Sequence, residues 1–101
     1  MKASLIQTAI KKAKQSSCRF KVSAIGLDKN GKFLGAAYNR HRMSKKGGGI
    51  HAEIALLNKT KDVKTIILCR VGRSGDLLPI HPCKTCQRVL DKMNIKVYTI
   101  V

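Results

Sequence analysis

The sequence predicts an α/β fold: a mixed sheet of about four strands, built from an antiparallel hairpin and a parallel strand-helix-strand unit, with helices on both faces. Three observations predict it. Apolar residues recur at helical spacing near the N-terminus, two strand-like runs flank an Asn-Gly pair, and the last third of the chain alternates strand, helix and strand. A chain of 101 residues can fill one modest core and not a second, so residues 1–101 are expected to form a single domain.

Leu5, Ile6, Ala9, Ile10 and Ala13 make one apolar stripe, the mark of a first helix. The same stretch is basic, contains serine and lacks acid, as transit peptides do, but the stripe favours a structural helix. It has no continuous apolar core of the kind a secretory signal needs, and no run in the chain approaches the ~20 residues that span a bilayer. A soluble, cytoplasmic protein without a membrane partner is expected.

RFKVSAIGLD and KFLGAAYN read as strands, and the Asn30-Gly31 pair between them favours a tight hairpin turn. Residues 39–49, NRHRMSKKGGG, then break all periodicity and mark a loop. A helix is expected from about Ile50 to Lys59 and a strand from about Val63 to Val71. A polar turn through Gly72 to Asp76 leads on to a helix from about Lys84 to Met93 and the final strand IKVYTIV. Two strands joined through a helix must lie parallel, so the sheet is mixed.

Charge narrows the partners. With 21 basic and 5 acidic residues the formal net charge is +16, which suggests an anionic partner, nucleic acid first. Basic residues occur in every segment rather than on one amphipathic stretch, which argues against a membrane surface. The four cysteines stand at 18, 69, 83 and 86. Only the last pair is closely spaced, and in a reducing compartment C-x-x-C points to metal or redox chemistry before a disulfide. Cys69, inside TIILCRV, reads as a small core residue.

Two short stretches gather the ligands that zinc prefers: HAE at 51–53 and HPCKTC at 81–86. His51, Cys83 and Cys86 make three protein ligands, which leaves a fourth tetrahedral position for water, the catalytic arrangement. Cys83 and Cys86 sit one helical turn apart at a helix start, where the macrodipole favours thiolates, and Pro82 suits that start. On an ideal helix residues 51 and 53 point about 200° apart. Both can approach one metal only if it sits off the N-terminal end of their helix. Zinc lowers the pKa of a bound water to about 7, and such a site needs a base that is not a ligand. Glu53, the only glutamate in the chain, can serve.

H-x-E followed by P-C-x-x-C resembles the signature of the zinc-dependent cytidine deaminase superfamily. The resemblance covers nearly the whole chain, because helix, hairpin, H-x-E helix, strand, P-C-x-x-C helix and strand follow in that family's order. It implies a three-layer cytidine deaminase-like fold, zinc on His51, Cys83 and Cys86, and Glu53 as general acid/base. It also implies a sugar contact from Asn39 and a contact from the Ala52 backbone N–H to the base carbonyl. The implied reaction is hydrolytic deamination of cytosine to uracil.

Histidine as first ligand resembles the deoxycytidylate, tRNA adenosine and APOBEC-like branches more than the free-cytidine branch. Arg40, Arg42, Lys45 and Lys46 precede the H-x-E helix and are expected at the mouth of the pocket, where phosphates of a single strand would run. Single-stranded nucleic acid is therefore the favoured substrate. A free cytidine nucleotide and a tRNA adenosine are the alternatives, since aromatic residues for base stacking are few: Phe20, Phe33, Tyr38 and Tyr98. Most of these fall in strands expected to be core. A reading of another class is a basic nucleic-acid-binding module whose structural zinc takes His41 or His81 as fourth ligand. Many relatives continue past the last strand seen here, so the chain reads as a minimal form. An exposed last strand is an edge that self-association into a homo-oligomer would cover.

Overall fold

The computed structural model describes residues 3–17, 21–41 and 49–100. Along the chain run α1 (Ala3–Lys14), β1 (Lys21–Leu27), β2 (Phe33–Tyr38), β3 (Arg40–His41), β4 (Gly49–Ile50), α2 (Ala52–Lys59), β5 (Thr65–Val71), β6 (Leu77–Leu78), α3 (Lys84–Lys92) and β7 (Lys96–Thr99). Cys18, Phe20, Arg42, Lys45 and Lys46 lie outside the described residues.

The main sheet is mixed and orders its strands β2-β1-β5, with β6 and β7 both on the far side of β5. β1 pairs antiparallel with β2 and with β5, whereas β7 runs parallel to Thr65–Leu68 of β5. The sheet thus has five strands rather than about four. The addition is β6, whose two residues pair with Arg70 and Val71. A two-residue strand has no period to read, and this one exists only because β5 offers it an edge.

The expected tight hairpin turn is present. Gly31 takes a positive φ of 80° and Asn30 does not, so the Asn-Gly pair does not form the two-residue primed turn. Asp28 decides this. Its Oδ1 accepts from the N–H groups of Asn30 and Lys32, both at 2.8 Å, while the Gly31 N–H donates to the Asp28 carbonyl. The result is a type I turn closed by a left-handed glycine.

β1 is buried on both faces from Val22 to Leu27, as befits a central strand covered by helices on each side. Towards α1 the sheet turns Ile25, Ile67 and Cys69, which pack with Ala9 and Ala13. Towards α2 and α3 it turns Ala24, Ile66 and Leu68, which pack with Ala55, Leu56 and Leu90. Ser23 ties the first layer down, donating its buried hydroxyl to the Ala9 carbonyl at 2.7 Å. α2 lies close because Gly26 and Gly35, opposite one another in the hairpin, leave room for it. A Cβ at Gly26 would stand 3.1 Å from Val63 Cγ2 and 3.2 Å from Leu56 Cδ2, and one at Gly35 would stand 3.0 Å from Thr60 Oγ1.

α3 ends in a Schellman motif. Asn94 takes φ 55°, its N–H donates to Asp91, and the Ile95 N–H reaches back to the Leu90 carbonyl at 2.9 Å. Leu90 and Ile95 are both buried in the second core, which supplies the apolar contact of that motif.

The two exposed strand aromatics depart from the sequence reading. Phe33 and Tyr98 are about half exposed because β2 and β7 form the margins of the sheet, not its centre. No helix among the described residues is long and apolar enough to cross a membrane.

Topology fixes where a site can form. Tyr38 of β2 and Cys69 of β5 both lie opposite Ser23, so these two strands end at the same side of the sheet. From there the chain passes through β3 and β4 into α2, and through β6 into α3. Both helices therefore start at one end of the sheet, the crevice where open α/β folds place their ligands.

Candidate active site

His51 is the N-cap of α2, with extended backbone (φ −68°, ψ 149°) and no hydrogen bond from its imidazole to the helix it caps. The ring is thereby available to the second motif. Its Nδ1 lies 3.5 Å from Cys83 Sγ and 3.3 Å from Cys86 Sγ. Cys83 is the N-cap of α3, and its sulfur accepts from the Cys86 N–H at 3.4 Å, taking the place of the usual Ser, Thr or Asp oxygen. Two N-caps, one per helix, thus converge on one point. His51 stands just before the first turn of α2, close to both cysteine sulfurs.

The donor set fits zinc. The three ligand atoms lie within 4.8 Å of one another. Tetrahedral zinc with ordinary Zn–N and Zn–S lengths holds nitrogen and sulfur about 3.5 Å apart, which matches the two N···S separations. Electrostatics agrees. Burial pushes the Cys86 thiol well above its ordinary range, and the neighbouring Cys83 and Glu53 push it the same way by hydrogen bonding and charge. A cation set among these groups would reverse each of those effects.

Glu53, in the first turn of α2, is only 4% exposed. Its charge acts on the Cys86 thiol, yet it does not belong to the group of three mutually close donors. Its carboxyl therefore stands beside the metal position rather than in it. Ala52, also buried, opens the same turn.

Asn39 follows β2. Its Oδ1 accepts from the Val22 N–H at 3.0 Å, its own N–H donates to the Val22 carbonyl, and Ser16 Oγ donates to its carbonyl at 2.9 Å. This fixes the residue at the strand end. Arg40 pairs with Ile50 in the small sheet of β3 and β4. Continuing that register by one residue sets Asn39 across from His51. His81 is exposed and stands apart from the donor group, and the His41 side chain lies outside the described residues. Of the four basic residues expected at the pocket mouth, Arg40 is described and is exposed.

One grouping had no signal in the sequence. Lys12 Nζ lies over the Tyr38 ring, 5.4 Å from its centroid. Lys59, exposed at the end of α2, is held below the ordinary lysine range by partial desolvation and by the charges of Lys12 and Arg40, and α1 and α2 both pack on β2. Periodicity within an element cannot report a meeting of three elements.

A family model described as "Cytidine and deoxycytidylate deaminase zinc-binding region" matches residues 1–101. Among solved structures, a cytidine deaminase from Mycobacterium tuberculosis matches with a TM-score of 0.64 and 22% identity, over 100% of this chain and 86% of that one. A cytidine deaminase from Mycobacterium leprae matches with a TM-score of 0.61 and 21% identity, over 92% of this chain and 82% of that one. At such identities the two structures speak for the fold alone. No curated protein sequence matches the chain significantly.

Proposed function

Because the chain belongs to the cytidine and deoxycytidylate deaminase family and is a zinc-dependent deaminase, we propose that it converts cytosine to uracil in single-stranded nucleic acid, with residues 1–101 acting as one domain. The observation that carries this reading is the placement of Glu53: a buried carboxyl beside, and not within, a His51-Cys83-Cys86 donor set. His51, Cys83 and Cys86 would hold the zinc. When bound there, zinc supplies a Lewis acid that activates water at neutral pH.

The remaining steps belong to the chain. Glu53 takes a proton from the attacking water as its oxygen bonds to the amino-bearing ring carbon and passes it to the adjacent ring nitrogen, then carries the second water proton to the exocyclic nitrogen as the new carbonyl forms. The C–N bond breaks and ammonia leaves. The Ala52 N–H, at the start of α2, donates to the base carbonyl, and Asn39, held across from His51, meets the sugar. Arg40, one residue further on, lies where the phosphate of the same nucleotide would come.

A free cytidine nucleotide is the second reading. It is favoured by the scarcity of aromatic side chains, since Phe20, Phe33, Tyr38 and Tyr98 are the only four. Both readings are tested by incubating the zinc-loaded protein with single-stranded DNA, single-stranded RNA and free cytidine and adenosine nucleotides, measuring ammonia together with the changed base. Uracil formed in a polymer is the expected result. Turnover confined to free nucleotides would replace the first reading with the second, inosine as the product would make adenine rather than cytosine the base, and no turnover on any substrate would overturn the proposal.

A further inference from the structure

β2 is a margin of the sheet, with β1 as its partner on one side and no main-sheet partner among the described residues on the other. Both helical layers send cations towards this margin. Lys12, from α1 on one face, is held over the Tyr38 ring at the end of the strand. Lys59 is exposed in the last turn of α2 on the other face, and that end of α2 lies over the strand where Thr60 Oγ1 meets Gly35. Arg40 follows the strand and pairs with Ile50, the residue before His51. α1 and α2 both pack against β2, and Lys12 and Arg40 disfavour the charge on Lys59.

Of the described carboxylates, Asp28, Asp76 and Asp91 are engaged by the Asn30 and Lys32 N–H groups, the Ser74 hydroxyl and the Gln87 amide, none of them a basic side chain. Three like charges gathered along a strand margin cost free energy in the free protein. A row of phosphates would recover it, since each neutralised phosphate releases condensed counterions.

We propose that the outer margin of β2, with Lys12 and Lys59 on either side and Arg40 at its end, is the track along which a single-stranded nucleic acid backbone runs to the pocket at His51. This rests on the polynucleotide reading of the substrate and adds to it the path of the strand. The phosphates lie between the two helical layers, next to the open backbone of β2, and Arg40 hands the chain over to the small sheet that leads into α2. Tyr38 acts as a positioning residue, keeping the Lys12 ammonium at the margin.

The test compares two double variants of the zinc-loaded protein: Lys12→Gln with Lys59→Gln, and, as a control of equal charge, Lys92→Gln with Lys96→Gln on the exposed surface of α3 and β7. Binding of a labelled pyrimidine-rich single strand, DNA and RNA in separate arms, is followed by fluorescence anisotropy across a salt series. Deamination of the same strand and of free cytidine nucleotide is measured alongside. Loss of two phosphate contacts should lower the slope of log K against log salt by about 1.4, which at 0.1 M salt is a roughly 25-fold weaker complex. The control pair should leave the slope unchanged. Deamination of free nucleotide, if the wild type shows it, should not depend on Lys12 or Lys59.

Equal losses in both double variants would mean diffuse charge and overturn the track. An unchanged slope in the Lys12-Lys59 variant, with polymer still deaminated, would overturn the track and leave the polymer reading standing. Wild-type protein that neither binds nor deaminates a single strand would overturn both. Self-association of the Lys12-Lys59 variant with unchanged strand binding would show that the lysines guard a sheet margin against pairing, and would also overturn the track.

Discussion

Burial decides what Glu53 can do. A carboxyl at 4% exposure has little water to exchange protons with, so its partners are the groups in the pocket. Glu53→Gln keeps the size and removes the carboxylate to which the proposal gives the proton transfers. We expect turnover to fall by at least about 10²–10⁴-fold, with zinc content by elemental analysis unchanged, whereas Cys86→Ser should lose zinc. Zinc lost from the Glu53→Gln protein would mean that the carboxyl is a ligand. Cys69 makes a different prediction. It is buried, and burial raises its thiol above the ordinary value, against a smaller opposing effect from Ser23. A raised folded value favours the protonated form in the folded state. Its stabilisation is complete below the ordinary value of 9.0 and is lost as pH rises from there through the folded value. Thermal melts should be flat around neutrality and fall above about pH 9, and Cys69→Ala should remove that component of the fall.

At the scale of elements, the site consists of two helix starts held at one end of the sheet, and α2 is held by its contact with two glycines. Gly26→Ala inserts a methyl 3.1 Å from Val63 Cγ2 and 3.2 Å from Leu56 Cδ2. Melting should report a loss of about 1–3 kcal/mol, and deamination should fall further than stability explains, because lifting Leu56 tilts the helix that carries His51 and Glu53. A variant with full activity would show that α2 adjusts without moving its N-terminus. The same distinction explains what the sequence disclosed. The helices and long strands were legible to within a few residues because each carries its own period, and the grouping of His51, Cys83 and Cys86 was legible because each motif is local to one helix start. β6 was not, since it is defined by its neighbour, and the tight hairpin turn was legible although the part Asp28 plays in closing it was not. The Lys12, Tyr38 and Lys59 meeting was hidden because those residues are far apart in the chain and belong to three elements.

At the scale of the whole molecule, the three donors link residue 51 to residues 83 and 86, and thereby α2 to α3. A chelator should then act on the whole fold. Removing zinc bound a thousandfold above its Kd costs about 4 kcal/mol, which for a chain of this size is a fall of more than about 10 °C in melting temperature. An equal melting temperature with and without chelator would mean that the metal adds nothing to the fold. The sheet order has a further consequence, for synthesis. β1 is the centre of the sheet, yet its second partner, β5, is made only after residues 28–64. A growing chain that adds about 5–20 residues per second leaves the β1 edge without that partner for roughly two to seven seconds. The intervening segment is the one that carries Asn39, His51 and Glu53. Every residue added to it to widen the choice of substrate would prolong the interval in which a half-made sheet can pair with the wrong chain.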